Sequence, residues 1–115
     1  MLIRSQDKRM IVNFDNICTV SAFPEKDSED IYVEDGTGSL MVGRYSAKEK
    51  AMKVLDMVQE AYVEYKIACT FLTGFTGHRA IVESNDIHVN GFGELLKSFK
   101  KNMVFQIPED SEVEV

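Results

Sequence analysis

The chain has 115 residues, 44% of them apolar and 28% charged, with a net charge of −6. That length predicts a single domain with a core of its own, and it excludes the disulfide or metal dependence of very small folds. No run nears the roughly 18 apolar residues of a membrane span. Met1 to Arg9 lacks the apolar core of a signal peptide, so a cytoplasmic protein is expected.

Leu2-Ile3-Arg4-Ser5-Gln6 and Met10-Ile11-Val12-Asn13-Phe14 read as the two strands of a hairpin around the polar Asp7-Lys8-Arg9. Asn13 to Asn16 is a turn signal, because Asn and Asp side chains bond to nearby backbone. Ile17 to Phe23 is the next predicted strand, halted at Pro24, and Glu25 to Glu29 forms an acidic loop too polar to bury. Asp30 to Glu34 and Ser39 to Arg44 are strands joined through Asp35-Gly36-Thr37-Gly38, whose Asp-Gly start is a strong hairpin signal.

Ser46 and Glu49 have the spacing of a capping box, in which each side chain satisfies an orphan N–H of the first turn. A helix is predicted from Ala47 to about Tyr65, with Ala47, Ala51, Val54, Leu55, Val58, Ala61, Tyr62 and Tyr65 forming one apolar stripe. Ile67 to Leu72 could prolong the helix or start a strand, and its β-branched and aromatic residues tip the reading slightly to strand. Thr73 to Gly77 is a glycine-rich loop, 80–82 and 87–89 are short extended stretches, and Glu94 to Lys101 forms a short helix. Met103 to Ile107 is a last strand, stopped by Pro108, and Glu109 to Val115 reads as a frayed acidic tail. The predicted fold is α+β: an antiparallel meander of about five strands, open or curled, packed by one long amphipathic helix, with a C-terminal strand. The domain spans 1–108, with 67–102 as a variable insert and 109–115 as the tail.

The negative charge is concentrated. Residues 25–35 hold six acids and one lysine, and 109–115 hold four acids, which leaves the remaining body at +3. Phosphate-backbone binding needs net positive charge, so the overall balance argues against a nucleic-acid partner. Glu25, Asp27, Glu29 and Asp30 are the candidate contacts for a basic protein partner. Their spacing does not fit an EF-hand loop, and a solvated acidic loop is the plainer reading.

His78 and Arg79 follow the glycine-rich loop as candidate partner contacts, although a solvated turn is the plainer reading. That loop lacks the Gly-Lys-Ser/Thr ending of a phosphate cradle. Lys97, Lys100 and Lys101 around Phe99 form a small basic cluster, which suits the solvated face of a short helix or a weak nucleic-acid contact. Cys18 and Cys69 sit in apolar runs and read as small buried hydrophobes. No catalytic, cofactor or metal motif is legible, so no enzyme activity, cofactor or metal is expected.

Two stretches carry a resemblance. Met1 to Asp7 followed by Ile11-Val12-Asn13-Phe14-Asp15-Asn16-Ile17, and Gly43-Arg44-Tyr45-Ser46 with Glu49 to Tyr62, resemble a family of short uncharacterised proteins of Gram-positive gut bacteria and their prophages. Val104-Phe105-Gln106-Ile107-Pro108-Glu109 continues the likeness, with Met more usual in the family at the place of Ile107. The resemblance implies an origin near mobile elements and no particular site residue. In pattern alone, the strands and helix are also similar to small pleckstrin-homology-like modules. The expected function is a small non-enzymatic interaction module. A structural, self-associating protein and an accessory nucleic-acid binder are the alternatives.

Overall fold

A computed structural model describes residues 1–73, 97 and 100–115. The fold is α+β, with six strands among these residues and one long helix. In order they are β1 (Leu2–Arg4), β2 (Ile11–Asn13), a 3₁₀ turn (Phe14–Asn16), β3 (Thr19–Pro24), β4 (Glu29–Glu34), β5 (Ser39–Tyr45), α1 (Lys48–Thr73), β6 (Val104–Gln106) and a second 3₁₀ turn (Asp110–Glu112).

The predicted meander is divided between two sheets, neither of them closed. One has the order β2-β1-β6, with β1 and β2 antiparallel and β1 and β6 parallel, and the other is the antiparallel run β3-β4-β5. Gln6 joins them. Its N–H donates to the Val42 carbonyl at 2.7 Å, and its side-chain amide both accepts from Arg44 N–H (2.9 Å) and donates to Arg44 C=O (3.0 Å). A single side chain thus imitates a strand on the edge of β5.

The core lies between the inner face of β3-β4-β5 and α1. Ile31, Val33, Val42 and Tyr45 from the sheet meet Ala51, Val54 and Val58 from the helix, with Ile3 and Ile107 closing the end near β1 and β6. The helical stripe is the predicted one, and Tyr62 stacks on Phe14 with ring centroids 4.9 Å apart. The helix runs past its predicted end: Ile67 to Leu72 is helical, not a strand. Tyr65 and Cys69 continue the four-residue step of the stripe, and that periodicity outweighs the β preference of Ile67 and Thr70.

Four further expectations are corrected. Glu109 to Val115 is docked rather than frayed: Val113 is buried in the core, and the Asp110 carboxylate accepts from Ser46 N–H (2.8 Å) and Ser46 O–H (3.0 Å). The Lys50 ammonium donates to both the carbonyl and the carboxylate of Asp110. This contact also replaces the predicted capping box, since the Ser46 hydroxyl goes to Asp110. Cys18 is exposed, in a bend ahead of β3 where strand alternation does not yet apply. Pro24 is the last residue of β3 rather than a stop before it, as an edge strand permits.

Candidate functional site

Strand alternation sends Ile31 and Val33 inward and leaves Asp30, Tyr32 and Glu34 on the outer face of the β3-β4-β5 sheet. The register builds three cross-strand rows on that face: Thr19–Glu34–Ser39, Ser21–Tyr32–Met41 and Phe23–Asp30–Arg44. A β-bulge makes the last row. Between the pairs Ile31–Gly43 and Tyr32–Met41 the β5 strand carries one extra residue, Val42. That insertion re-aims the strand so that Met41 and Arg44 share the outer face while Val42, Gly43 and Tyr45 are buried.

At the centre Asp30 is fully buried and held by three donors. Arg44 grips it through both oxygens, Nε to Oδ1 at 3.1 Å and a terminal guanidinium nitrogen to Oδ2 at 3.2 Å, and Ser28 O–H donates at 2.9 Å. Burial pushes the Asp30 carboxyl up, but the Arg44 and Ser28 hydrogen bonds and the Arg44 charge outweigh it and hold the group below the usual carboxylate range. Such an acid is a poor general base. The Arg44 guanidinium also approaches Met41 Sδ at 3.8 Å, with 62% of its side chain exposed. Tyr32 O–H donates to Glu25 at 3.3 Å, and burial together with that carboxylate raises its pKa.

The result is a face with an aromatic and thioether surface around a neutralised ion pair. Phe23 is 59% exposed and Met41 41% exposed, with Tyr32 half-buried in the same row as Met41. Glu25 and Glu34 stand at its rim and give it negative charge. A shallow cavity of about 320 Å³ opens there between Phe23, Glu25, Tyr32 and Glu34. Large apolar groups on the solvent side of an antiparallel sheet cost solvation unless something covers them, and aromatic residues, Met and Arg are the types enriched at protein interfaces.

The sequence-predicted contacts divide accordingly. Glu25 belongs to this face, and Asp27 lies exposed in the loop beside it. Asp30 is committed to Arg44 and has no exposed surface. Glu29 pairs with Tyr45 on the opposite side of the sheet. His78 and Arg79 lie outside the described residues. Lys97 and Lys100 are helical and exposed, and Lys101 borders a groove that also holds Glu60 and Glu64 of α1. That acidic company weakens the basic cluster as a phosphate contact. Phe23, Tyr32 and Met41 were not singled out by charge or motif. Their signal is alternation, which puts aromatic residues on the polar side of two predicted strands.

Among the described residues no group of three His, Cys, Asp or Glu side chains converges on a metal position, and no helix is long and apolar enough to cross a membrane. Comparison with protein-family models, with curated proteins and with solved structures finds no match to this chain.

Proposed function

We propose that this chain is a small, non-enzymatic protein-interaction module, acting in the cytoplasm and derived from a phage or other mobile element. The outer face of the β3-β4-β5 sheet is its binding surface. The observation that carries this reading is the adjacency of Phe23, Tyr32 and Met41 on a solvent-facing sheet, around an Arg44–Asp30 pair that the fold has already neutralised. The apolar groups supply the area to be buried, and Glu25 and Glu34 select a partner that brings lysine or arginine to the rim. The mobile-element origin rests on the resemblance of Met1 to Ile17 and of Gly43 to Tyr62 to short proteins of Gram-positive gut bacteria and their prophages.

The test is affinity capture from a Gram-positive host lysate with the parent chain and with a Phe23→Ser/Met41→Ser variant. Both side chains are exposed, so the variant keeps the fold. The reading expects a partner retained by the parent, lost with the variant and weakened by salt. The same proteins retained by both would overturn it.

A further inference from the structure

The pairing pattern leaves a strand edge open beside an apolar groove, away from the face just described. Ser5 N–H donates to Met10 C=O (2.8 Å) and Phe14 N–H to Met1 C=O (2.9 Å), which sets the parity of the β1–β2 ladder. In an antiparallel pair, alternate residues turn their main-chain groups toward the partner and away from it. Ile11 N–H and C=O and Asn13 N–H therefore point away from β1. Among the described residues nothing lies beyond them in the sheet, because β2 is the outer strand of the order β2-β1-β6.

A groove of about 280 Å³ runs along this edge, with Ile11, Val12 and Asn13 on one wall and Val33, Gly38 and Leu40 of the β4–β5 hairpin on the other. Ile11 is 59% and Leu40 49% exposed at its mouth. The far wall is also a strand edge. Asp35 N–H to Gly38 C=O (3.3 Å) fixes the β4–β5 parity, so Ser39 and Met41 turn their main-chain groups away from β4. Gln6 N–H on Val42 C=O ties the two walls together at one end.

We propose that this groove is a strand-addition site for an extended segment of a partner protein, with aliphatic side chains at alternate positions and lysine or arginine between them. The open N–H and C=O groups of Ile11 are matched by a chain in the extended conformation, and the pleat then sends every second side chain against Val33 and Leu40. Asp35 in the lining and a net charge of −6 favour cationic residues at the intervening positions. This surface is distinct from the outer face of β3-β4-β5, and the two can fail separately.

The probes are capped heptapeptides alternating lysine with valine, isoleucine or leucine, followed by amide NMR and hydrogen exchange on the full chain. Binding is expected to slow exchange at Ile11 and Asn13 and to produce cross-strand contacts with β2. A peptide N-methylated at the main-chain nitrogens that face β2 should bind at least about tenfold more weakly, because it lacks the donors. Leu40→Asp should remove binding, whereas Phe23→Ser should leave it intact. Three results would each overturn the proposal: no protection at Ile11 at about 1 mM peptide, equal binding of the N-methylated peptide, or protection that grows with protein concentration alone. The last would assign the edge to a second copy of the chain.

Discussion

Val113→Ala tests whether the C-terminal segment is part of the folded unit. Val113 is only 5% exposed and belongs to the same core cluster as Ile107, Tyr45 and Val54. The substitution removes two buried carbons, a loss of about 1.6 kcal/mol at about 0.8 kcal/mol each. Against a total stability of about 5–15 kcal/mol this is a large fraction, and it lowers Tm by roughly 6 °C for a chain of this size. Urea unfolding followed by circular dichroism should show a lower midpoint with an unchanged slope. Amide exchange should quicken at Lys48 to Ala51 as well, because Asp110 holds Ser46 and Lys50 just there. Ser111→Ala, at an exposed position, is the control. If Val113→Ala matched it within about 0.5 kcal/mol, the docked segment would be refuted.

Tyr45→Phe should cost about 1 kcal/mol, since it deletes a buried hydrogen bond but leaves Gln6 donating to the same carbonyl. The Tyr45 hydroxyl donates to Pro108 C=O at 2.6 Å and the Gln6 amide at 3.2 Å, so a double-mutant cycle with Gln6→Ala in urea should show the two coupled. Gly43→Ala should destabilise by about 1–3 kcal/mol through overpacking, because its Cβ would lie 3.0 Å from Ile107 Cγ2 and 3.1 Å from the Tyr45 ring. Ile107→Ala, which removes the clashing Cγ2, should make the added cost of Gly43→Ala smaller in a double-mutant cycle in the same assay. The carboxyls of Asp30 and Asp110 are both held below their ordinary value: in Asp30 burial is outweighed by Arg44 and Ser28, and in Asp110 the Ser46 N–H is the main cause. Depressed carboxyl pKa values stabilise the ionised fold above an unfolded value of about 3.9 and lose that contribution as pH falls through the folded values. The urea midpoint should therefore hold between neutrality and about pH 5, drop below about pH 4, and drop less steeply in Asp30→Asn.

Local rules made much of this fold legible. Asp35-Gly36 marked its hairpin, the spacing from Ala47 to Tyr65 marked the helix face, and the polar Asp7-Lys8-Arg9 marked the turn between β1 and β2. What was not legible is non-local. Nothing near Asp110 in the chain announces that Ser46 and Lys50 will meet it, so a polar stretch anchored by one valine reads as a frayed end. Division of the meander into two sheets depends on β6 pairing with β1 and on Gln6 standing in for a strand. Helix continuation through Ile67 was visible as periodicity but was set against β propensity, the weaker guide. In the candidate site, charge pointed to Glu25 and also to Asp30, which the fold uses internally. The outward aromatic positions needed the strand parity and the bulge at Val42, and only the parity can be read in advance.

The central claim is that Phe23, Tyr32 and Met41 are covered by a partner. Hydroxyl-radical footprinting of the isolated chain and of its captured complex tests it directly, because all three side chains oxidise readily and Met52 and Met103 serve as exposed references at 45% and 40%. The account predicts that oxidation of Phe23, Tyr32 and Met41 falls in the complex while Met52 and Met103 stay unchanged. Protection of Met52 or Met103 with Phe23 and Met41 still fully reactive would contradict it.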